Sequence, residues 1–322
     1  MLGAIVALTT LAACRTSSSP GAPPVAVALD RGVLVDSARL MFDISALAAD
    51  SMEGRAPGTP GHERARSYIR SEFERIGLRP FGADLAQRFE IVSRRDSTRM
   101  AGINLVGWIP GTTDATRYIV VTAHYDHVGV RDGEIYNGAD DNASGTAGLL
   151  AIAEHFALMR PTHSIIFAAL DAEEQGLQGA RAFVATPPVP LDRIVLNVNM
   201  DMVSRSATNE LYAAGTSHSP FLAPYVDSAA AEAGVTLRRG HDTPVPTARD
   251  DWTTQSDHGA FHARGVPFLY FGVEDHPGYH RPSDDVEAIT PAFFVRAVSA
   301  VLRTIELLDR NLPAVARAAG RN

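Results

Sequence analysis

Five side chains in this 322-residue sequence have the types and placement of a metal centre: His124, Asp141, Glu174, Asp201 and His280, each just beyond a short apolar run. Glu173 stands directly beside Glu174. Two imidazoles and three carboxylates, with no thiolate among them, suit a pair of divalent cations such as zinc better than a single one. A carboxylate left over from ligation can act as general base on water, so the chemistry indicated is metal-assisted hydrolysis.

Each short motif carries its own signal. His124-Tyr125-Asp126 sets a carboxylate two residues after an imidazole, where Asp126 is expected to fix the His124 tautomer. Gly138-Ala139-Asp140-Asp141-Asn142-Ala143-Ser144-Gly145 packs two acids among small residues at a helix start. One acid suffices for an N-cap, and a carboxylate bridging two cations explains the excess. Asp171-Ala172-Glu173-Glu174 leaves an apolar run directly. In Asn199-Met200-Asp201-Met202 a single acid sits among apolar neighbours, where an unpaired carboxylate is costly and a cation is its natural partner. Pro277-Gly278-Tyr279-His280-Arg281-Pro282 is a stiff loop presenting a histidine and a phenol. Ser256-Asp257-His258 is read as site wall, because adjacent side chains do not form a nucleophilic triad by themselves. His62, His127 and His276 are expected to line the cleft without ligand roles. The glycines around Asp141 lack the lysine of a phosphate-binding loop.

These residues need a scaffold that brings them to one edge. Apolar and β-branched runs predict strands at 118–122, 164–170, 194–198 and 266–271, with a further one at 210–213. Helices are predicted over 143–159, 179–185, 220–233 and 291–308, the last with Pro in its first turn. The stretch 40–78 has helical periodicity, broken by a Gly- and Pro-rich loop at 53–61. Alternating strand and helix with apolar strands means an α/β sheet covered on both faces. Ligands of such sheets bind beyond the carboxyl ends of the strands. His124, the Glu173-Glu174 pair and Asp201 follow three different strands, so they converge.

Hydrophobic content of 45% and charged content of 20% describe a globular chain with a sizeable core. The net charge of −8 argues against nucleic acid as a partner. Cys14 is the only cysteine, so no internal disulfide forms. Residues 2–13 are almost wholly apolar or small and end Leu11-Ala12-Ala13-Cys14. That run is too short to span a bilayer and fits a signal peptide; its ending resembles a bacterial lipobox. The expected organisation is a signal peptide with lipobox over 1–14, a Pro- and Ser-rich linker over 15–29 and one catalytic domain over 30–322. Membrane contact is expected only through a lipid anchor on Cys14, with the protein in the cell envelope or secreted.

Taken in order, His124-Tyr125-Asp126, the stretch from Gly138 to Gly145, Asp171 to Gly176, Asn199 to Met202, and Tyr279-His280 with Asp284 resemble peptidase family M28, the co-catalytic zinc aminopeptidases. Asp50-Ser51-Met52-Glu53-Gly54-Arg55 is similar to the family's N-terminal segment. The resemblance runs from about residue 40 to 310. It implies a mixed, mostly parallel sheet flanked by helices, the zinc-exopeptidase (phosphorylase/hydrolase-like) fold, with two zinc ions at its edge. Asp141 would bridge both ions, next to a cis Asp141–Asn142 peptide. One ion would take His124 and Asp201, the other Glu174 and His280. Glu173 would be the general base, Tyr279 would hold the oxyanion, and Asp126 would support the ligands from behind.

The implied activity is removal of N-terminal residues from peptides. A carboxypeptidase or dipeptidase on the same fold is the first alternative. An aminopeptidase needs an acid for the substrate amine, with Glu274, Asp275 and Asp285 as candidates. A carboxypeptidase needs an arginine, with Arg205 or Arg281 as candidates. A glutaminyl cyclase uses one zinc on a related fold, and a non-catalytic receptor-like relative would have lost ligands. Side-chain preference is assigned to the loops 203–209 and 239–256.

Overall fold

The computed structural model describes Gly3 and residues 32–93, 96–243 and 250–321. The lipobox-like segment with Cys14 and the linker lie outside the described residues, as does the 244–249 part of one specificity loop. Arg31–Asn322 forms one compact unit. Among the described residues, no helix is long and apolar enough to cross a membrane.

Helix α1 (Ser37–Leu47), a 3-10 turn (Asp50–Arg55) and α2 (Pro60–Ile76) lead into strands β1 (Ala86–Val92), β2 (Arg99–Ile109) and β3 (Asp114–His124). A hairpin of β4 (Gly129–Arg131) and β5 (Glu134–Tyr136) precedes α3 (Gly145–Leu158). Then follow β6 (His163–Leu170), α4 (Gln178–Ala185), β7 (Ile194–Met200), β8 (Glu210–Ala214), α5 (Ala223–Ala230) and β9 (Thr236–Arg239). The chain closes with α6 (His258–His262), β10 (Phe268–Gly272), α7 (Pro291–Arg310) and α8 (Leu312–Ala318). Thr59 caps α2, accepting from the His62 amide, and Gly77 ends it in the left-handed region.

Eight strands form one mixed sheet in the order β1-β2-β6-β3-β7-β10-β8-β9. The central four, β6-β3-β7-β10, run parallel. Every residue of β6, β7 and β10 is buried, which is why these segments read as unbroken apolar runs. One face packs on α1, α2, α3 and α7 through residues such as Leu40, Phe73, Ile152 and Phe294. The other packs on α4 and α6 through Phe183 and Phe261. The fold class expected from the sequence is the one observed.

Parallel register does the positioning. His124, the last residue of β3, pairs with Leu170, the last of β6. Thr122 pairs with Asn199 on the other side, which sets Asp201 level with His124. Two boundaries differ from expectation. The predicted helix at 220–233 is a 3-10 turn (Pro220–Leu222) followed by the eight-residue α5. The pattern at 40–78 is two helices joined through the Asp50–Arg55 turn, where Glu53, Gly54 and Arg55 all have positive φ.

Candidate metal centre

The carboxyl edge of the central strands gathers two sets of ligand-competent atoms: His124, Asp141 and Asp201, and His127, Asp141, Glu174 and His280. All five residues singled out in the sequence are present, and Asp141 belongs to both sets. His124 Nε2 lies 3.4 Å from Asp141 Oδ1 and 3.4 Å from Asp201 Oδ1. His280 Nε2 lies 3.0 Å from Asp141 Oδ2 and 3.2 Å from Glu174 Oε1. The two oxygens of Asp141 thus face different histidines. The Asp141–Asn142 peptide is cis.

These donors fit divalent cations. His124 Nε2 and Asp201 Oδ1 are buried and make no hydrogen bond, a costly state for two polar atoms that face each other. His124 Nδ1 is 3.1 Å from the Asp126 backbone oxygen. A carbonyl only accepts, so Nδ1 carries the proton and Nε2 presents its lone pair. Tetrahedral zinc with bonds of about 2.0–2.1 Å separates its ligand atoms by roughly 3.3 Å, close to the spacings above. The charges agree. Burial works against a cationic His280, yet Asp141 and Glu174 raise its pKa to about 10. Burial likewise opposes ionisation of Glu174, but His127 and His280 pull it down to about 2. The carboxylates here demand positive charge, which protons or metal ions can supply.

The surrounding residues fix this arrangement. Asp126 bonds His124 through its backbone oxygen, with its carboxylate 3.7 Å away, so the expected carboxylate–imidazole contact is replaced by a main-chain one. The Asp126 carboxylate instead accepts from the amides of Glu173 (2.9 Å) and Glu174 (3.3 Å) and so sets the turn beyond β6. The Asp284 carboxylate accepts from the amides of Asp140 and Asp141, at 3.0 Å each. Asn142 donates to Met200 O (3.0 Å) and accepts from Gly145 N (2.8 Å), fastening the turn to β7 and to the start of α3. Arg55 is wholly buried behind the site and donates to the carbonyls of Leu47, Tyr125, Asn137 and Gly138 at 2.6–2.9 Å.

Glu173 and Tyr279 line one cleft with Asp141, Asp201 and His280. Burial pushes the Glu173 carboxyl well above the usual range; Asp257, Asp201 and Glu174 add to this, while His124 opposes it. Tyr279 is 38% exposed, its ring stacked on His280 at 4.1 Å.

Other expectations changed. His127 is a full member of the second set, its Nδ1 2.9 Å from Glu174 Oε1. Its place three residues after His124 was the one available signal. His62 is buried behind the site, 2.8 Å from Asp171 and stacked on Tyr125. His276 bonds Asp140 at 3.1 Å. Neither is among the residues that line the cleft. Ser256 accepts from Asn199 Nδ2, and His258 bonds the Trp252 carbonyl, so the Ser-Asp-His run is no triad. Asp257 is fully buried without a hydrogen-bond partner, and burial pushes its carboxyl up to about 7.

A family model for peptidase family M28 matches residues 104–305. The chain belongs to that family. A probable zinc metalloprotease of Pyricularia oryzae is 33% identical over 169 residues, covering 47% of this chain and 32% of that protein. Aminopeptidase YwaD of Bacillus subtilis is 32% identical over 183 residues, 53% of this chain and 37% of its own length. The M28 chain spans about a third of the length of these curated relatives. Among solved structures, glutaminyl cyclase of Porphyromonas gingivalis superposes with a TM-score of 0.70 at 19% identity, covering 85% of this chain and 98% of that one. At that identity the likeness speaks for the fold alone.

Proposed function

We propose that this M28 chain is a zinc-dependent aminopeptidase that hydrolyses the first peptide bond of peptides with a free N-terminus. The observation that carries the reading is the split use of Asp141, whose two oxygens face His124 and His280, beside a Glu173 that belongs to neither ligand set. Zinc held by His124, Asp141 and Asp201, and by Asp141, Glu174 and His280 with His127 beside them, would polarise the scissile carbonyl and acidify water. Glu173 takes a proton from the attacking water at its carboxylate and delivers it to the leaving amine nitrogen. The Tyr279 hydroxyl, on the same cleft, donates a hydrogen bond to the tetrahedral oxyanion. Asp126 keeps Glu173 in place through the bond to its amide.

Naming supports the chemistry: the relatives include a probable zinc metalloprotease and an aminopeptidase. The cleft supports the choice of chain end, since no arginine lines it among the described residues. Arg205 lines a neighbouring cavity instead. The glutaminyl cyclase reading shares the fold, but a donor set divided around Asp141 exceeds what one ion needs. Part of the proposal is export, with a lipid anchor at Cys14 in the cell envelope, supported by Leu11-Ala12-Ala13-Cys14. Peptides are the proposed substrates.

Two measurements test the function. Glu173→Gln should retain both equivalents of zinc by elemental analysis yet lose most turnover; normal turnover would remove Glu173 as the base. Cleavage of N-acetylated peptides as readily as free ones would refute the choice of chain end.

A further inference from the structure

The amino edge of the central strands, opposite the metal centre, gathers four arginines. Arg117 stands just before Tyr118, which pairs with Ser164 of β6 and with Ile194 at the start of β7. Arg193 directly precedes Ile194, and Arg160 donates to the Pro110 carbonyl between β2 and β3 at 3.2 Å. Arg310 ends α7 beside Asp309, whose carboxylate accepts from the Thr162 and His163 amides at 2.7 Å each. Arg117 and Arg193 make no hydrogen bond or ion pair with a described residue. Arg310 approaches Glu306 at 3.8 Å. The acids nearby are mostly spent. Asp309 is buried, Asp114 accepts from the Thr116 amide and hydroxyl, and Glu306 is shared by Arg303 and His155. Asp192 is the exposed one of the four. On a chain of net charge −8 this edge inverts the sign of the charge locally.

Two apolar side chains project beside these cations. Helix α3 ends on Leu158 and Met159, 78% and 69% exposed, the most exposed large apolar residues among those described. The Met159 amide donates to the His155 carbonyl, and Ile152 and Phe156 seat the helix in the core, so the pair stands on a rigid base. Apolar tips flanked by arginines from separate segments suit a plane of phosphates with hydrocarbon behind it: the tips enter the headgroup boundary and the guanidinium groups meet the lipid phosphates.

We propose that this edge rests on the surface of a bilayer bearing anionic phospholipid, with Leu158 and Met159 in the headgroup boundary and Arg117, Arg160, Arg193 and Arg310 on lipid phosphates. The proposal rests on the export reading for the membrane that is met, but the contact belongs to the folded domain and needs neither the anchor at Cys14 nor peptidase activity. His124 lies seven residues beyond Arg117 on β3, roughly 23 Å at about 3.3 Å per residue. The metal cleft therefore stands clear of the bilayer and opens to peptides in solution.

The experiment uses the full chain with Cys14→Ser, which removes the anchor, and vesicles of phosphatidylcholine alone or mixed equally with phosphatidylglycerol. Residues 2–13 carry no charged side chain, so whatever they contribute is common to both vesicles. Sedimentation should show tighter binding to the anionic vesicles, weakened by salt. Arg117→Gln combined with Arg193→Gln should lower that binding about 30-fold, at about fivefold per arginine, with turnover of a soluble peptide unchanged. Equal binding to the two vesicles, or a double variant that binds as its parent does, overturns the proposal. Orientation is read separately. An environment-sensitive fluorophore on Met159→Cys should shift to the blue with anionic vesicles, and the same label on Val130→Cys, three residues past His127, should not. Equal shifts at the two positions overturn the proposal, because they report attachment without a preferred face. A chain that binds by this edge but cleaves no peptide supports the proposal and sinks the peptidase reading alone.

Discussion

Replacing Arg55 by Met should separate the support of the metal centre from its ligands. Arg55 is 0% exposed and donates to four main-chain oxygens: Tyr125 at 2.9 Å, Leu47 at 2.8 Å, Asn137 at 2.6 Å and Gly138 at 2.9 Å. Tyr125 lies between His124 and Asp126, and Gly138 opens the turn that carries Asp141, so one guanidinium ties both ligand segments to the end of α1. Burial lowers its pKa to about 10, while Asp141, Asp284, Asp126 and Glu174 hold the charge in place. Met replaces the aliphatic stem but lacks the guanidinium and every donor on it. Four stranded carbonyls at about 1–3 kcal/mol each, set against the recovered cost of burying a cation, leave a net loss of about 3–5 kcal/mol. For a chain of this size that is a fall of about 5–15 °C in Tm. The loss should be largest in chelator, where the carboxylates have lost their remaining counter-charge, and smaller with zinc. Arg55→Lys keeps the charge with fewer and differently placed donors, so it should fall between. Calorimetry of the three proteins with and without zinc decides it. A Met variant that melts within about 2 °C of wild type in chelator would refute the reasoning.

Asp284→Ala removes the acceptor of the Asp140 and Asp141 amides and should weaken ion binding about 10–100-fold, read by competition with a chromogenic chelator. His258 gives a pH signature away from the ligands. Its folded pKa is depressed by burial to about 3, below the ordinary value near 6.5, so the unfolded chain binds the extra proton between those limits. Stability from this group is whole above pH 6.5 and is lost on acidification at about 1.4 kcal/mol per pH unit until about pH 3. His258→Gln, which keeps an N–H for the Trp252 carbonyl, should flatten that limb in urea titrations, and identical pH slopes in the two proteins would count against it.

Much of the scaffold was legible because buried parallel strands advertise themselves. The runs at 118–122, 164–170 and 194–198 fall inside β3, β6 and β7, and the residues after them reach one edge because parallel register leaves no other outcome. The first two strands were missed. β1 is an edge strand with only Ile91 buried, so no apolar run marks it, and β2 contains Gly102 and Gly107, which dilute its pattern. Local propensity overstated the helix at 220–233 because its alanines and valine are helix-compatible, whereas Gly234 and the turn into β9 shorten it. Within the centre, side-chain types pointed to Asp141, Glu174 and Asp201. His127 was hidden because its approach to Glu174 depends on how the chain turns after β3, a tertiary fact whose one local sign was its place three residues after His124. Arg55 lay inside the family-like N-terminal segment, but its role was not legible: an arginine beside Gly54 reads as a solvated loop residue until four carbonyls are seen around it.

The loop from His276 to Asp284 does two jobs at once. It delivers His280 to one ligand set, and it holds the Asp140–Asp141 turn through the His276–Asp140 bond and the Asp284 carboxylate. On the two-zinc proposal, whatever orders that loop for one ion would also set the shared carboxylate for the other. Two ions bound here would therefore be thermodynamically linked: the first would raise affinity for the second, and reciprocity would require the second to return the same factor to the first. Zinc should load as a cooperative pair, with a half-filled protein the scarcest species in the titration.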